Sequence, residues 1–149
     1  MGKYTDKACE LFINDANCAQ AVFAAFADKL GLDEVYALKL ASSFGGGMGR
    51  LREVCGAVSG MFMVAGAIYG YDYNDNAKKK EHYALIQKLA EKFTAEHGTI
   101  ICRDLLKLAN EIPSPVPTKR DAEFYKTRPC LRFVETAAKL MEELIEEKN

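Results

Sequence analysis

Residues 54–71 carry no charged side chain over eighteen positions, and glycine recurs among them at 56, 60, 66 and 70. Such a stretch has to be covered all round, by lipid or by the rest of the chain. Four glycines, Cys55, Ser59 and two tyrosines keep its hydrophobicity modest, and no second stretch of the kind exists to pack with it. The expectation is therefore a Gly-rich helix buried at the centre of a bundle, with no stable membrane insertion. Gly56-x-x-x-Gly60 and Gly66-x-x-x-Gly70 place small residues on shared faces, where neighbouring helices can come close.

Around that stretch the signals are helical. Proline is absent before Pro113, alternating β-branched runs are missing, and Ala, Leu, Lys and Glu dominate. Helices are expected over about 4–13, from the Asn17 cap to about 30, and from the Asp33 cap to about 43. Further helices are expected over about 52–69, from Asn74 or Asp75 to Gly98, and over about 100–110 with Thr99 as cap. Residues 112–118 hold three prolines and read as a loop, and Pro129 suits the first turn of a last helix. The fold expected is all-α: a single-domain bundle of about six to seven helices spanning residues 1–149.

Composition narrows the function. A net charge of −1 over 149 residues gives no basic surplus for nucleic acid. The run Lys78-Lys79-Lys80, beside Asp75 and Glu81, is a solvated helix start. The N-terminal residues enter an amphipathic segment with no apolar run or cleavage site, so a reducing, cytoplasmic setting is expected. Two histidines, His82 and His97, fall on one Lys/Glu-rich helix and are expected at the surface. They leave no Ser/His/Asp constellation to argue for.

The five cysteines are the chemistry-bearing residues. In a reducing compartment they are metal ligands, redox thiols or small core residues rather than a static disulfide framework. Cys18 follows the Asn17 cap, Cys55 the glycine cluster, Cys102 the Thr99 cap and Cys130 Pro129, so these four fall at helix openings. Cys9 alone lies inside a helix and is expected to be structural. Amide N–H groups at a helix start favour the thiolate, which is both nucleophile and metal ligand. Arg50, Arg52, Arg103, Arg128 and Arg132 add positive charge nearby. The spacings match no zinc finger or ferredoxin, so convergence would have to come from folding. A converged set could hold an iron–sulfur cluster or another thiolate-bound metal, or cycle between dithiol and disulfide.

Gly45, Gly46, Gly47 and Gly49, with Arg50 and Arg52, pose a separate question. The glycines are out of register for a dinucleotide fingerprint, and the P-loop lysine and the preceding strand are missing. What remains is backbone permissiveness, or a nest of N–H groups and arginines facing an anion or cofactor beside Cys55.

Cys55-Gly56-Ala57-Val58-Ser59-Gly60 reads as CGAxxG. With Cys18, Cys102 and Cys130 around it, the chain resembles the C_GCAxxG_C_C family of redox-active proteins over nearly its whole length. The resemblance implies a small prokaryotic redox protein associated with transport genes, with no assigned substrate, and Cys9 lies outside its four-cysteine pattern. The leading expectation is redox or electron-transfer chemistry at Cys18, Cys55, Cys102 and Cys130, served by a redox partner. The alternatives are a small-molecule or anion binder using the 45–52 nest, and a helical module whose Gly faces pair into a homo-oligomer.

Overall fold

Asn17 starts the second helix by a reciprocal cap. Its side chain accepts the Gln20 N–H at 2.9 Å, while the Gln20 side-chain oxygen accepts the Asn17 N–H at 3.0 Å. Asp33 and Asp75 act alike, taking the N–H of Tyr36 and Lys78. Gly31 and Gly98 stop their helices in the left-handed conformation that glycine adopts without strain. These local devices set the frame of the computed structural model, which describes residues 2–108 and 114–149.

In chain order the elements are α1 (Lys3–Ile13), α2 (Cys18–Ala25), α3 (Ala27–Leu30) and α4 (Glu34–Ala41). A 3₁₀ turn over Ser42–Phe44 leads to the glycine turn α5 (Gly45–Met48). Then come α6 (Gly56–Tyr69), α7 (Asn76–His97), α8 (Cys102–Leu105), α9 (Ala122–Thr127) and α10 (Cys130–Lys148). The fold is all-α and single-domain, with six helices of seven residues or more and no strand among the described residues. No helix among them is long and apolar enough to cross a membrane.

The core lies between α2 and α6. Alanine-rich α2 packs on α1, α4, α6 and α10, and buries Ala19, Ala21, Val22, Phe23, Ala24 and Ala25. The Gly56/Gly60 stripe of α6 provides the close contact. A Cβ on Gly60 would stand 2.8 Å from the Ala19 carbonyl, and one on Gly56 would stand 3.1 Å from the Ala19 nitrogen. The Gly66/Gly70 stripe does not repeat this: among the described residues nothing lies within 4 Å of where a Gly66 Cβ would be, and Gly70 caps the helix. Gly66→Ala is therefore expected to stabilise the protein by ~0.5–1 kcal/mol, the helix-interior cost of glycine. Urea denaturation checks this, and a loss of stability would mean that the face is covered.

The structure corrects several boundaries. The second helix breaks at Phe26, whose fully buried ring stacks on Tyr4 at 4.6 Å, so that α3 sets off separately. The helix expected from Arg52 begins only at Gly56. The third ends at Ala41 in a 3₁₀ turn. The sixth is the single turn α8, capped by Ile101 rather than Thr99, and its expected end near Asn110 lies outside the described residues. Of the proline loop, Ile112 and Pro113 also lie outside them, and 114–120 is irregular, as expected.

Candidate functional site

Residues 53–55 and 100–102 explain why two distant cysteines meet. Instead of beginning a helix, the chain after the glycine turn extends and pairs antiparallel with the segment before α8, through a bridge between Val54 and Ile101. Cys55 N–H donates to the Ile100 carbonyl at 2.8 Å and Cys102 N–H to the Glu53 carbonyl at 2.6 Å. Side chains alternate faces along extended backbone, so Cys55 and Cys102 emerge on one face of this pair, diagonal to each other. Cys55 then serves as N-cap residue of α6, and Cys102 is the first residue of α8.

The other two cysteines arrive on long helices. Cys18 opens α2 and Cys130 opens α10, two helices that pack together, and each thiol is the leading cause of the other's shifted pKa. All four cysteines line one small cavity of about 30 Å³. Cys55, Cys102 and Cys130 are 3%, 6% and 8% exposed, and Cys18 is half-buried at its rim. Leu105, Leu106 and Phe133 supply apolar wall. Cys9, in α1, does not line the cavity, and neither does the larger groove of about 610 Å³ beside α1 contain a cysteine.

Of the glycine cluster, Gly46 and Gly47 line the cavity and Gly45 and Gly49 do not. Six residues between 46 and 52 have positive φ: Gly46, Gly47, Met48, Gly49, Arg50 and Arg52. For the three that are not glycine this conformation costs ~1–3 kcal/mol each. The turn is locked by Arg52 N–H to Gly46 O and Glu53 N–H to Gly47 O. Gly47 touches the site directly, since a Cβ there would sit 2.7 Å from Cys102 Cβ. Gly45 is buried against the Asn17 side chain, and Gly46 packs on the Arg50 stem.

The arginines divide by role. Arg52 is 4% exposed and reaches the Cys102 sulfur at 3.7 Å. Arg50 instead donates to the carbonyls of Ser114 and Val116 and to Thr118 Oγ1, binding the proline segment to the glycine turn. Arg103 reaches the Leu108 carbonyl. Arg120 has no cysteine near it in sequence, yet it lies over the Phe12 ring, bonds the Phe12 and Ala16 carbonyls, and adds its charge to the field at Cys130.

The electrostatics correct the expectation that every helix-opening thiol is acidified. Only Cys130 is: the Cys18 thiol donating to it, helped by Arg128, Arg120 and Arg52, outweighs burial and brings it to about 7. Cys18, the donor in that bond, is pushed well up by the same contact and by burial. Burial pushes Cys55 up to about 12, although the amides of Val58 and Ala57 oppose it. Cys102 is also raised by burial, with Arg52 pulling the other way. Desolvation of an anion at a dry helix start exceeds the fraction of a charge that the start provides.

The sign of the pH effect follows. Below pH 7 Cys130 holds its proton, and it ionises as pH rises through 7, while Cys55 remains protonated up to about 12. Ultraviolet thiolate absorbance of the folded protein is expected to rise with a midpoint near 7 and to lose that step in Cys130→Ser, with no Cys55 contribution in the neutral range. A midpoint of 9 or above at Cys130 would contradict the hydrogen-bonded pair.

Metal ligation needs three or four donors facing one point at ~2.3 Å. Among the described residues no group of three or more His, Cys, Asp or Glu side chains is so placed. The diagonal relation of Cys55 and Cys102 is part of the reason. Neither histidine lines the four-cysteine cavity, and both depart from the surface position expected, His97 most clearly. It is half-buried, with Nε2 2.8 Å from Thr136 Oγ1 and its ring against Phe93 and Phe133, and burial lowers its pKa. His82 is half-buried beside Tyr71, its Nδ1 without a hydrogen-bond partner.

Comparison with known proteins adds one match. Residues 16–144 fit the model of the family described as "Putative redox-active protein (C_GCAxxG_C_C)". Neither a curated protein nor a solved structure matches the chain.

Proposed function

The chain belongs to the C_GCAxxG_C_C family of redox-active proteins, and on that premise we propose that it works by dithiol–disulfide exchange between Cys18 and Cys130. The observation that carries this reading is that Cys18 and Cys130, at the starts of two packed helices, line a cavity that all four cysteines share, the Cys18 thiol being the main cause of the low Cys130 value. A thiolate beside a protonated thiol is the starting arrangement of a two-cysteine redox centre. Cys130 is the attacking sulfur. Cys18 is the resolving one, and closes the disulfide as two electrons leave the pair for an oxidant.

Cys55 and Cys102 have a supporting part. In antiparallel pairs diagonal side chains stand roughly 7 Å apart, wider than the ~4 Å between Cβ atoms that a disulfide needs. As neutral thiols they keep the cavity apolar, and Cys102 gives the buried Arg52 guanidinium a soft acceptor. Gly45, Gly46, Gly47 and Gly49 let the turn approach the sulfurs. Arg50 and Arg52 hold that turn and its charge in place, a role supported by the bonds of Arg50 to the proline segment.

Anaerobic purification followed by thiol counting, metal analysis and disulfide mapping tests the reading. The expected result is five thiols counted in the reduced, unfolded chain, of which two are lost on oxidation, with the new bond between Cys18 and Cys130. Stoichiometric bound iron or zinc with all four thiols blocked would replace it by a metal centre.

A further inference from the structure

We propose that the oxidant of the Cys18–Cys130 pair is a small hydroperoxide of the size of hydrogen peroxide, which enters the four-cysteine cavity where a peptide disulfide cannot. The inference rests on the redox reading above and names its substrate class.

Three observations carry it. The first is volume. The cavity holds about 30 Å³, and one water needs roughly 10–15 Å³ of such space. It therefore takes about two oxygen-sized atoms, whereas ligands of peptide size occupy ~300–1,000 Å³. The second is burial. Cys130 is 8% exposed and Cys102 6%, so a sulfur carried on a bulky disulfide has no in-line path to the attacking atom. The third is charge. The Arg52 guanidinium, 4% exposed, lines the same cavity and faces the region where an oxygen leaving group gains negative charge.

The chemistry balances with that oxidant alone. The Cys130 thiolate attacks one peroxide oxygen. The O–O bond breaks, an S–O bond forms to give a sulfenic acid, and the second oxygen leaves as hydroxide beside Arg52. The Cys18 thiol then attacks the Cys130 sulfur. An S–S bond forms, the S–O bond breaks, and the sulfenic oxygen leaves as water with the Cys18 proton. The two thiols are oxidised by two electrons and the peroxide is reduced by two.

Fully reduced, full-length protein is mixed anaerobically with hydrogen peroxide, cumene hydroperoxide or oxidised glutathione at equal concentration, and the Cys18–Cys130 disulfide is followed by quenched mass spectrometry. Hydrogen peroxide is expected to form it at least ~100-fold faster than either bulky oxidant, since access limits their rates. In Cys18→Ser the reaction with hydrogen peroxide is expected to stop at a Cys130 sulfenic acid, which dimedone traps once the protein is unfolded in the quench. Leu106→Ala, which widens the wall, is expected to raise the cumene hydroperoxide rate ~10-fold or more by relieving the same limit. Oxidised glutathione reacting as fast as hydrogen peroxide, or a sulfenic acid found after the unfolding quench elsewhere than at Cys130, overturns the peroxide assignment and leaves the dithiol reading standing. No Cys18–Cys130 disulfide with any oxidant overturns both.

Discussion

Cys130→Ser is expected to cut the ultraviolet thiolate absorbance of the folded protein at pH 7 at least ~10-fold, because Cys130 is about half ionised there and a thiol of ordinary pKa only about 3%. The remaining cavity thiols do worse still, since Cys18, Cys55 and Cys102 are all raised. The partner substitutions separate a hydrogen-bonding role for Cys18 from a packing role. Cys18→Ser keeps an O–H donor beside Cys130, so the ionisation midpoint is expected to stay near 7 while disulfide formation is lost. Cys18→Ala removes the donor, and the midpoint is expected to move upward, because that bond is the largest cause of the low value. Equal midpoints in the two variants would show that the Cys18 thiol does not tune Cys130.

Gly47→Ala is the most destabilising single change expected in the site. The added Cβ would lie 2.7 Å from Cys102 Cβ, 2.8 Å from Arg52 Cα and 2.9 Å from Glu53 N, and two of those are backbone atoms that cannot rotate away. It would also sit at a φ of +74°. Left-handed strain of ~1–2 kcal/mol and overpacking of ~1–3 kcal/mol give a loss of about 3 kcal/mol. Gly31→Ala isolates the first contribution, because its φ is +69° and nothing lies within 4 Å of the new atom. Its expected loss is ~1 kcal/mol. Urea denaturation of both variants measures the difference. Similar losses would mean that the glycine turn does not press on Cys102.

What the sequence made legible was local. The caps at Asn17, Asp33 and Asp75 and the stops at Gly31 and Gly98 depend on neighbours within a few residues, and all five act as read. The all-α class followed from the same signals, as did the placement of Cys18, Cys102 and Cys130 in the opening turn of a helix, where each proves to be the first residue. What escaped was settled by partners far along the chain. Arg52 to Cys55 has a helical composition, but residues 100–102 offer it backbone hydrogen bonds, and the helix yields to them. Phe26 leaves helical geometry as its ring goes into the core on Tyr4. Arg120 reaches the site from beyond the proline segment, a position no spacing rule connects to a cysteine. The acidity of the thiols was misread for a related reason. Helix position is visible in a sequence, but the burial that outweighs it at Cys55 is a property of the assembled core.

Cys18 and Cys130 open the second and the last helices, and their contact has a thermodynamic side. A covalent bond between them would close a loop of about 110 residues, and on the chain-entropy account this removes ~4.7 kcal/mol of freedom from the unfolded ensemble. The same quantity appears on the electron side as a reduction potential about 100 mV more negative than that of an unconstrained pair. Oxidised protein would melt later than reduced protein, and reducing it would loosen the whole bundle rather than one loop. A redox pair held by the two ends of a fold makes the lifetime of the chain a readout of the oxidant it has met.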